Sequence, residues 1–156
     1  MTGPLTPPLD LITTAVLELL RTGGRTVYDA AYTGDPHNPP YPYDVLYQLP
    51  GGSADPFPSL DDRHTDATLV FQVTAVSDLR NQAQWAARAA RDLMVGKTSA
   101  GFDQPHKFAH PLVLPDGWVC IDRRPDPAMP GVERTGLEPN SIYTVPARYY
   151  LTVAPD

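Results

Sequence analysis

Residues 66–96 constrain this chain more than any other stretch, because a strand pattern and a helix pattern follow one another there with almost nothing between them. Thr68-Leu69-Val70-Phe71-Gln72-Val73-Thr74-Ala75-Val76 is rich in β-branched and aromatic residues, and Leu69, Phe71, Val73 and Ala75 alternate with their neighbours. That alternation marks a strand buried mainly on one face. Ser77 and Asp78 can cap a helix that starts at once. Its apolar positions Leu79, Ala83, Ala86, Ala90 and Leu93 or Met94 recur at three- and four-residue steps, with Arg80, Gln84, Arg88 and Arg91 on the far side. Alanine on the packing face lets a helix axis come close to what it covers, so the sheet holding the preceding strand is the expected partner. Nothing in this unit is catalytic in character.

The flanking sequence extends the same pattern. Thr6 can cap a first helix, with Pro7 and Pro8 in an opening turn that tolerates missing N–H groups. Leu9, Ile12, Val16 and Leu19 line one side of it, Leu20 widens the stripe, and Gly23-Gly24 ends it. Arg25 to Tyr32 reads as a strand. The proline-rich segment from Gly34 to Pro42 can be neither helix nor central strand and is expected to be an exposed loop. Tyr43, Val45, Tyr47 and Leu49 alternate with Asp44, Leu46 and Gln48 as in a half-buried strand, which Pro50-Gly51-Gly52 should stop. Residues 50–66, about 96–111 and 123–141 read as long loops. Pro115-Asp116-Gly117 predicts a hairpin between Leu112-Val113-Leu114 and Trp118-Val119-Cys120-Ile121. A last strand, Ile142 to Val153, puts Tyr143, Val145, Ala147, Tyr149, Leu151 and Val153 on one face, and Pro146 inside it predicts an edge or a bulge. The expected fold is α+β, an antiparallel or mixed β-sheet with two α-helices packed on it, in one domain spanning residues 1–156.

Composition narrows the function. The 19 prolines among 156 residues fit short elements joined by stiff loops. A net charge of −6, with Lys97 and Lys107 as the only lysines, leaves no basic stripe for a nucleic acid backbone, so specific DNA binding is not expected. The lone Cys120 rules out an internal disulfide, fits a reducing compartment and reads as a buried small hydrophobe. Met1 to Pro8 carries no basic residue ahead of an apolar run, and no run approaches the roughly 20 residues of a membrane helix. A soluble intracellular protein without membrane contact is the expectation.

Candidate chemistry is thin. Gly96-Lys97-Thr98 resembles the end of a P-loop, but Arg91 stands where the earlier glycine is required, and the tripeptide follows a helix instead of opening one. It reads as a helix stop. His64 and Asp66 with His106 or His110 have the ligand types of a two-histidine, one-carboxylate iron site. That site would need a deep barrel pocket for which the strands are too few, so these residues read as solvated loop positions. His106 and His110 are bracketed by Pro105 and Pro111, which argues against the helix that a zinc pair at this spacing would use. No Gly-x-Ser-x-Gly occurs. No catalytic residue, cofactor or metal is therefore expected. Tyrosines near the first proline loop suit an interface. Tyr43, Tyr47 and Tyr149 read as strand packing, and Tyr41 is the better contact candidate.

Pro42 to Gly52, Leu69 to Val76 running into Gln82-Ala83-Gln84-Trp85-Ala86-Ala87-Arg88, and the terminal Arg148-Tyr149-Tyr150-Leu151-Thr152-Val153 together resemble the tail terminator (tail completion) proteins of long-tailed bacteriophages, especially those of actinobacteria. The likeness runs in order through most of the chain. It implies a virion structural subunit, assembled in the host cytoplasm, that forms a ring, expected to be hexameric, on the head-proximal end of the tail tube. Such a ring stops tube growth, contacts the tail tube protein and the head connector proteins, and lets DNA pass through its lumen without specific binding. The resemblance carries no catalytic residues. Candidate contact residues are Tyr41, the loop residues Asp61, Asp62, Arg63 and His64, and Arg123 and Arg124. A head-completion or connector protein of the phage neck is the rival within the same class, and a small metal-dependent enzyme is the rival outside it.

Overall fold

A computed structural model describes residues 7–54, 66–98, 107–128 and 130–156. The elements in chain order are α1 (Leu9–Thr22), β1 (Val27–Asp29), β2 (Tyr43–Ala54), β3 (Ala67–Ser77), α2 (Arg80–Val95), β4 (Trp118–Pro125), β5 (Glu133–Thr135) and β6 (Ile142–Pro155). The strands form one six-stranded sheet in the order β1-β2-β3-β6-β4, with β5 also on β6. β1 runs parallel to β2 and the other pairs are antiparallel, so the sheet is mixed and the α+β expectation holds.

Both helices lie on one face. Ile12, Val16, Leu17, Leu19 and Leu20 of α1 meet Val27, Leu46, Leu69, Phe71 and Val73 of the sheet and Leu93 and Met94 of α2. The expected α1 stripe is shifted: Leu9 is 41% exposed, and Leu17 enters the core instead. The proposed Thr6 cap lies outside the described residues. At the other end of α1, a Cβ on Gly23 would stand 2.3 Å from Leu93 Cδ2, so any other residue there would have to displace the Leu93 side chain. On α2, Ala83, Ala86, Ala90, Leu93 and Met94 are buried as the periodicity predicts. Leu79 is not; it is the extended N-cap residue and half exposed. Ser77 and Asp78 do not cap the helix by side chain either. The Ser77 hydroxyl instead accepts from the Leu79 N–H at 3.2 Å and donates to Gln82 Oε1 at 3.1 Å, bracing the strand-to-helix turn.

Four strand expectations change. β2 does not stop at Pro50: it continues through a bulge between Leu49 and Ser53 to pair Ala54 with Ala67. The bulge depends on Gly52, where a Cβ would stand 2.3 Å from the Thr68 carbonyl oxygen. The predicted hairpin at Pro115-Asp116-Gly117 is only a turn, closed by Trp118 N–H to the Pro115 carbonyl at 3.1 Å. Pro111 and Pro115, without N–H groups, bracket the upstream arm; Leu112 and Leu114 pack on the core without a ladder while β4 pairs with β6. The stretch 123–141 is not all loop, since β4 reaches Pro125 and β5 pairs Glu133–Thr135 with Ile142–Thr144. The strand expected over Arg25–Tyr32 shrinks to Val27–Asp29, ended by Ala30 in a left-handed conformation at φ 63°. The loop before β2 is exposed, as its prolines predict.

β6 is central and still carries Pro146. Arg148 accepts from the Asp126 N–H at 2.9 Å on the side away from β3, and residues two apart direct their backbone to the same side. Pro146 therefore turns its nitrogen to that side, between the segment paired with β5 (Ile142–Thr144) and the segment paired with β4 (Tyr149–Pro155). The missing N–H falls where no ladder exists, so the position is a local edge inside a central strand.

Candidate functional site

The N-terminal end of the second sheet face carries a tyrosine cluster. Register puts Tyr43, Val45 and Tyr47 opposite Val76, Thr74 and Gln72, on the face away from the helices. The segment from β1 to β2 folds back over it: Tyr28 and Tyr32 meet edge-on at 4.8 Å between centroids, Tyr32 stacks on Tyr43 at 4.8 Å, and Tyr41 stacks on Tyr43 at 5.8 Å. Burial, and then the Asp78 charge, push the Tyr41 phenol up; burial, then the neighbouring phenols, do the same to Tyr43. Tyr41 is half-buried in this cluster, stacked on Tyr43.

The reading of β2 as buried on its tyrosine side is incomplete. Its opposite face holds Leu46 and Asp44, both fully buried under the helices. Asp44 is tolerated there because Arg25 grips it with two hydrogen bonds, Nε to Oδ2 at 2.9 Å and Nη2 to Oδ1 at 3.1 Å, and Arg25 lies over the Trp85 ring at 5.3 Å. Burial pushes the Asp44 carboxyl up and the Arg25 hydrogen bonds and charge pull it back. The pair joins the end of α1 to β2. Once the covered face of β2 is known, an aspartate on it and an arginine just past a helix stop mark the pair.

Of the proposed contact residues, Tyr41 lies in the tyrosine cluster and Arg123 and Arg124 lie on β4. Asp61, Asp62, Arg63 and His64 lie outside the described residues. Arg124 is exposed on the face away from the helices, its guanidinium 5.6 Å from the Tyr150 ring centroid. Arg123 is 4% exposed and points to the helix side: Nη2 donates to the His110 carbonyl, the guanidinium sits 4.2 Å over the Phe108 ring, and Nη1 has no hydrogen-bond partner. Burial lowers its pKa from the usual arginine value. The alternation of β4 could have assigned Arg123 inward, opposite Leu151, once its pairing with β6 is known.

Two concavities border β4. The larger, about 520 Å³, lies over the unpaired edge of β6 between α2 and the β4–β5 connection; Arg88, Arg91 and Arg148 line it with Val145, Ala147 and Pro146. The smaller, about 260 Å³, lies between the C-terminal end of α2 and β4, lined by Arg91, Lys97, Arg123 and Arg124 with Asp92 and Asp122. Neither holds a nucleophile paired to a base. Burial pushes the half-buried Cys120 thiol up despite Arg123. Gly96 stops α2, and Lys97 pairs with Phe108 as an isolated bridge, a context unlike a phosphate loop. Among the described residues, no three His, Cys, Asp or Glu side chains converge as metal ligands, and no helix is long and apolar enough to cross a membrane. Asp66 and His110 are exposed, while His64 and His106 lie outside the described residues.

No protein-family model and no curated protein matches the chain. Among solved structures, a chain from the virion of a native gene transfer agent (GTA) particle superposes with a TM-score of 0.55, covering 94% of this chain and 96% of that one. The two share a fold. At 15% identity the likeness resides in the backbone, not in a set of matched side chains.

Proposed function

We propose that this chain is a structural, non-enzymatic virion protein that forms a hexameric ring at the head-proximal end of a tail tube, stops tube polymerisation and joins tail to head. The observation that carries the reading is the correspondence of fold along nearly the whole of both chains with a component of a gene transfer agent virion. The resemblance of β2, β3 with α2, and the end of β6 to tail terminators points the same way. A sheet that among the described residues ends in edge strands β1 and β4, and concavities lined by arginine, suit assembly. The partners are other copies of the chain, the tail tube protein and the head connector proteins, with DNA passing through the lumen. Asp61, Asp62, Arg63 and His64 are proposed to reach a neighbour, with Tyr41 and Arg124 as further contacts. Arg123 acts from inside the subunit.

The deciding experiment is imaging of particles made with and without the chain. With it, density of ring symmetry should cap the tube below the head. Without it, tubes should be overlong and headless. Tails of normal length joined to heads in its absence would remove the terminator role. A ring lying within the head-side neck, with tube length unchanged, would assign the chain to head completion.

A further inference from the structure

Among the described residues the sheet ends in two edge strands, β1 and β4, of opposite electrostatic character. At one, β1 and α1 expose Asp10, Glu18, Asp29 and, in the following loop, Asp35; Arg21, the nearby cation, is engaged by the Val27 carbonyl at 3.0 Å. At the other lies the 260 Å³ pocket between α2 and β4, where Arg91 and Lys97 are exposed and Arg123 is buried beside Asp92, while the Arg124 guanidinium leaves on the opposite face of the sheet. Among the described residues the only ion pair is Arg25 with Asp44, so none of these three cations is paired with a described carboxylate. Arg123 Nη1 is buried and unpartnered, which costs free energy until an acceptor arrives. Beside the pocket, β4 leaves its outer backbone edge unpaired among the described residues, with Val119 and Ile121 40% and 52% exposed.

We propose that this pocket receives a carboxylate from the α1–β1 edge of a second copy of the chain, and that this is the repeating contact of the ring. The inference rests on the ring reading above and specifies its surfaces. A ring contact is heterologous, joining two different patches of one subunit, and patches at opposite ends of one sheet are placed to repeat around an axis. Complementary charge selects that pairing over like-to-like contact.

The test uses two double variants of the full chain. Arg91→Glu with Lys97→Glu makes both edges acidic, and Glu18→Lys with Asp29→Lys makes the acidic edge basic. Assembly is followed by native mass spectrometry and sedimentation at low ionic strength, with thermal melts to show that each variant folds. The wild type should give closed rings, and each variant alone should associate about ten-fold or more weakly. Arg91→Gln with Lys97→Gln, which removes charge without reversing it, should lose less. An equimolar mixture of the two reversed variants should restore rings holding equal numbers of each, a rescue that misfolded chains cannot give. Wild-type rings with either reversed variant assembling normally, or a folded mixture that fails to recover, would overturn the edge pairing and leave the ring standing. A wild type that forms no ring alone or on tail tubes overturns both. Short duplex DNA held by the wild type and lost in Arg91→Glu with Lys97→Glu, with rings unaffected, would assign the pocket to phosphate instead.

Discussion

Asp44 and Arg25 form a charge pair closed off from water beneath two helices, and such pairs are asymmetric in their energetics. Removing one partner leaves a buried charge, so Asp44→Ala is expected to destabilise the fold by about 3–5 kcal/mol, read by chemical denaturation. Arg25→Met with Asp44→Leu together should recover most of that loss, since two apolar groups leave nothing unpaired. A double variant as unstable as the single one would mean that the pair also fixes the strand register. Tyr149 gives a pH dependence. Burial raises its phenol above the ordinary value of 10.0, so above that pH the unfolded chain has released a proton that the native chain keeps. Stability therefore falls as pH rises past about 10, and Tyr149→Phe should flatten the melting temperature between roughly pH 10 and 12. Equal slopes for both proteins would place the tyrosine in contact with solvent. Neither role was legible beforehand for Asp44, because alternation names two faces without saying which one a helix will cover.

At the scale of elements, the unit from β3 to α2 was readable because strand and helix each present a strong period and one turn joins them. Ala86 and Ala90 sit flat against the sheet, 0% and 1% exposed. Ala86→Leu should overpack that contact and cost about 1–3 kcal/mol, visible as a lower melting temperature. Gly52→Val should push the end of β2 off Thr68, so the amides of Ser53 and Ala54 would exchange rapidly while the Tyr43–Leu49 ladder stays protected. The end of β2, the absent hairpin and β5 were not readable for a common reason. Each is decided by what lies across the sheet: a strand that accommodates a bulge, two prolines that leave Leu112 and Leu114 to the core, and a β6 edge that recruits three exposed residues with no pattern of their own. Pro146 was legible as an edge signal, and the edge it marks proved to be internal.

For the whole molecule, the contact surface was legible least. The −6 charge describes the sum, whereas the arrangement separates cations beside β4 from carboxylates beside β1 only after the chain has folded. Reversing Asp61 and Asp62 to lysine should weaken ring formation or tail joining while leaving the melting temperature within about a degree or two, as expected for rim charges. Normal infectious particles from that variant would remove the loop from the interface. The gap in β6 has a mechanical consequence. Around Pro146 that strand is gripped along one edge only, whereas its two ends are held along both. A sheet yields first where its ladder is thinnest, so this seam is the expected place for the sheet to flex. A subunit that had to fit a tube of fixed width would absorb the mismatch there, as a compliant joint in an otherwise stiff plate.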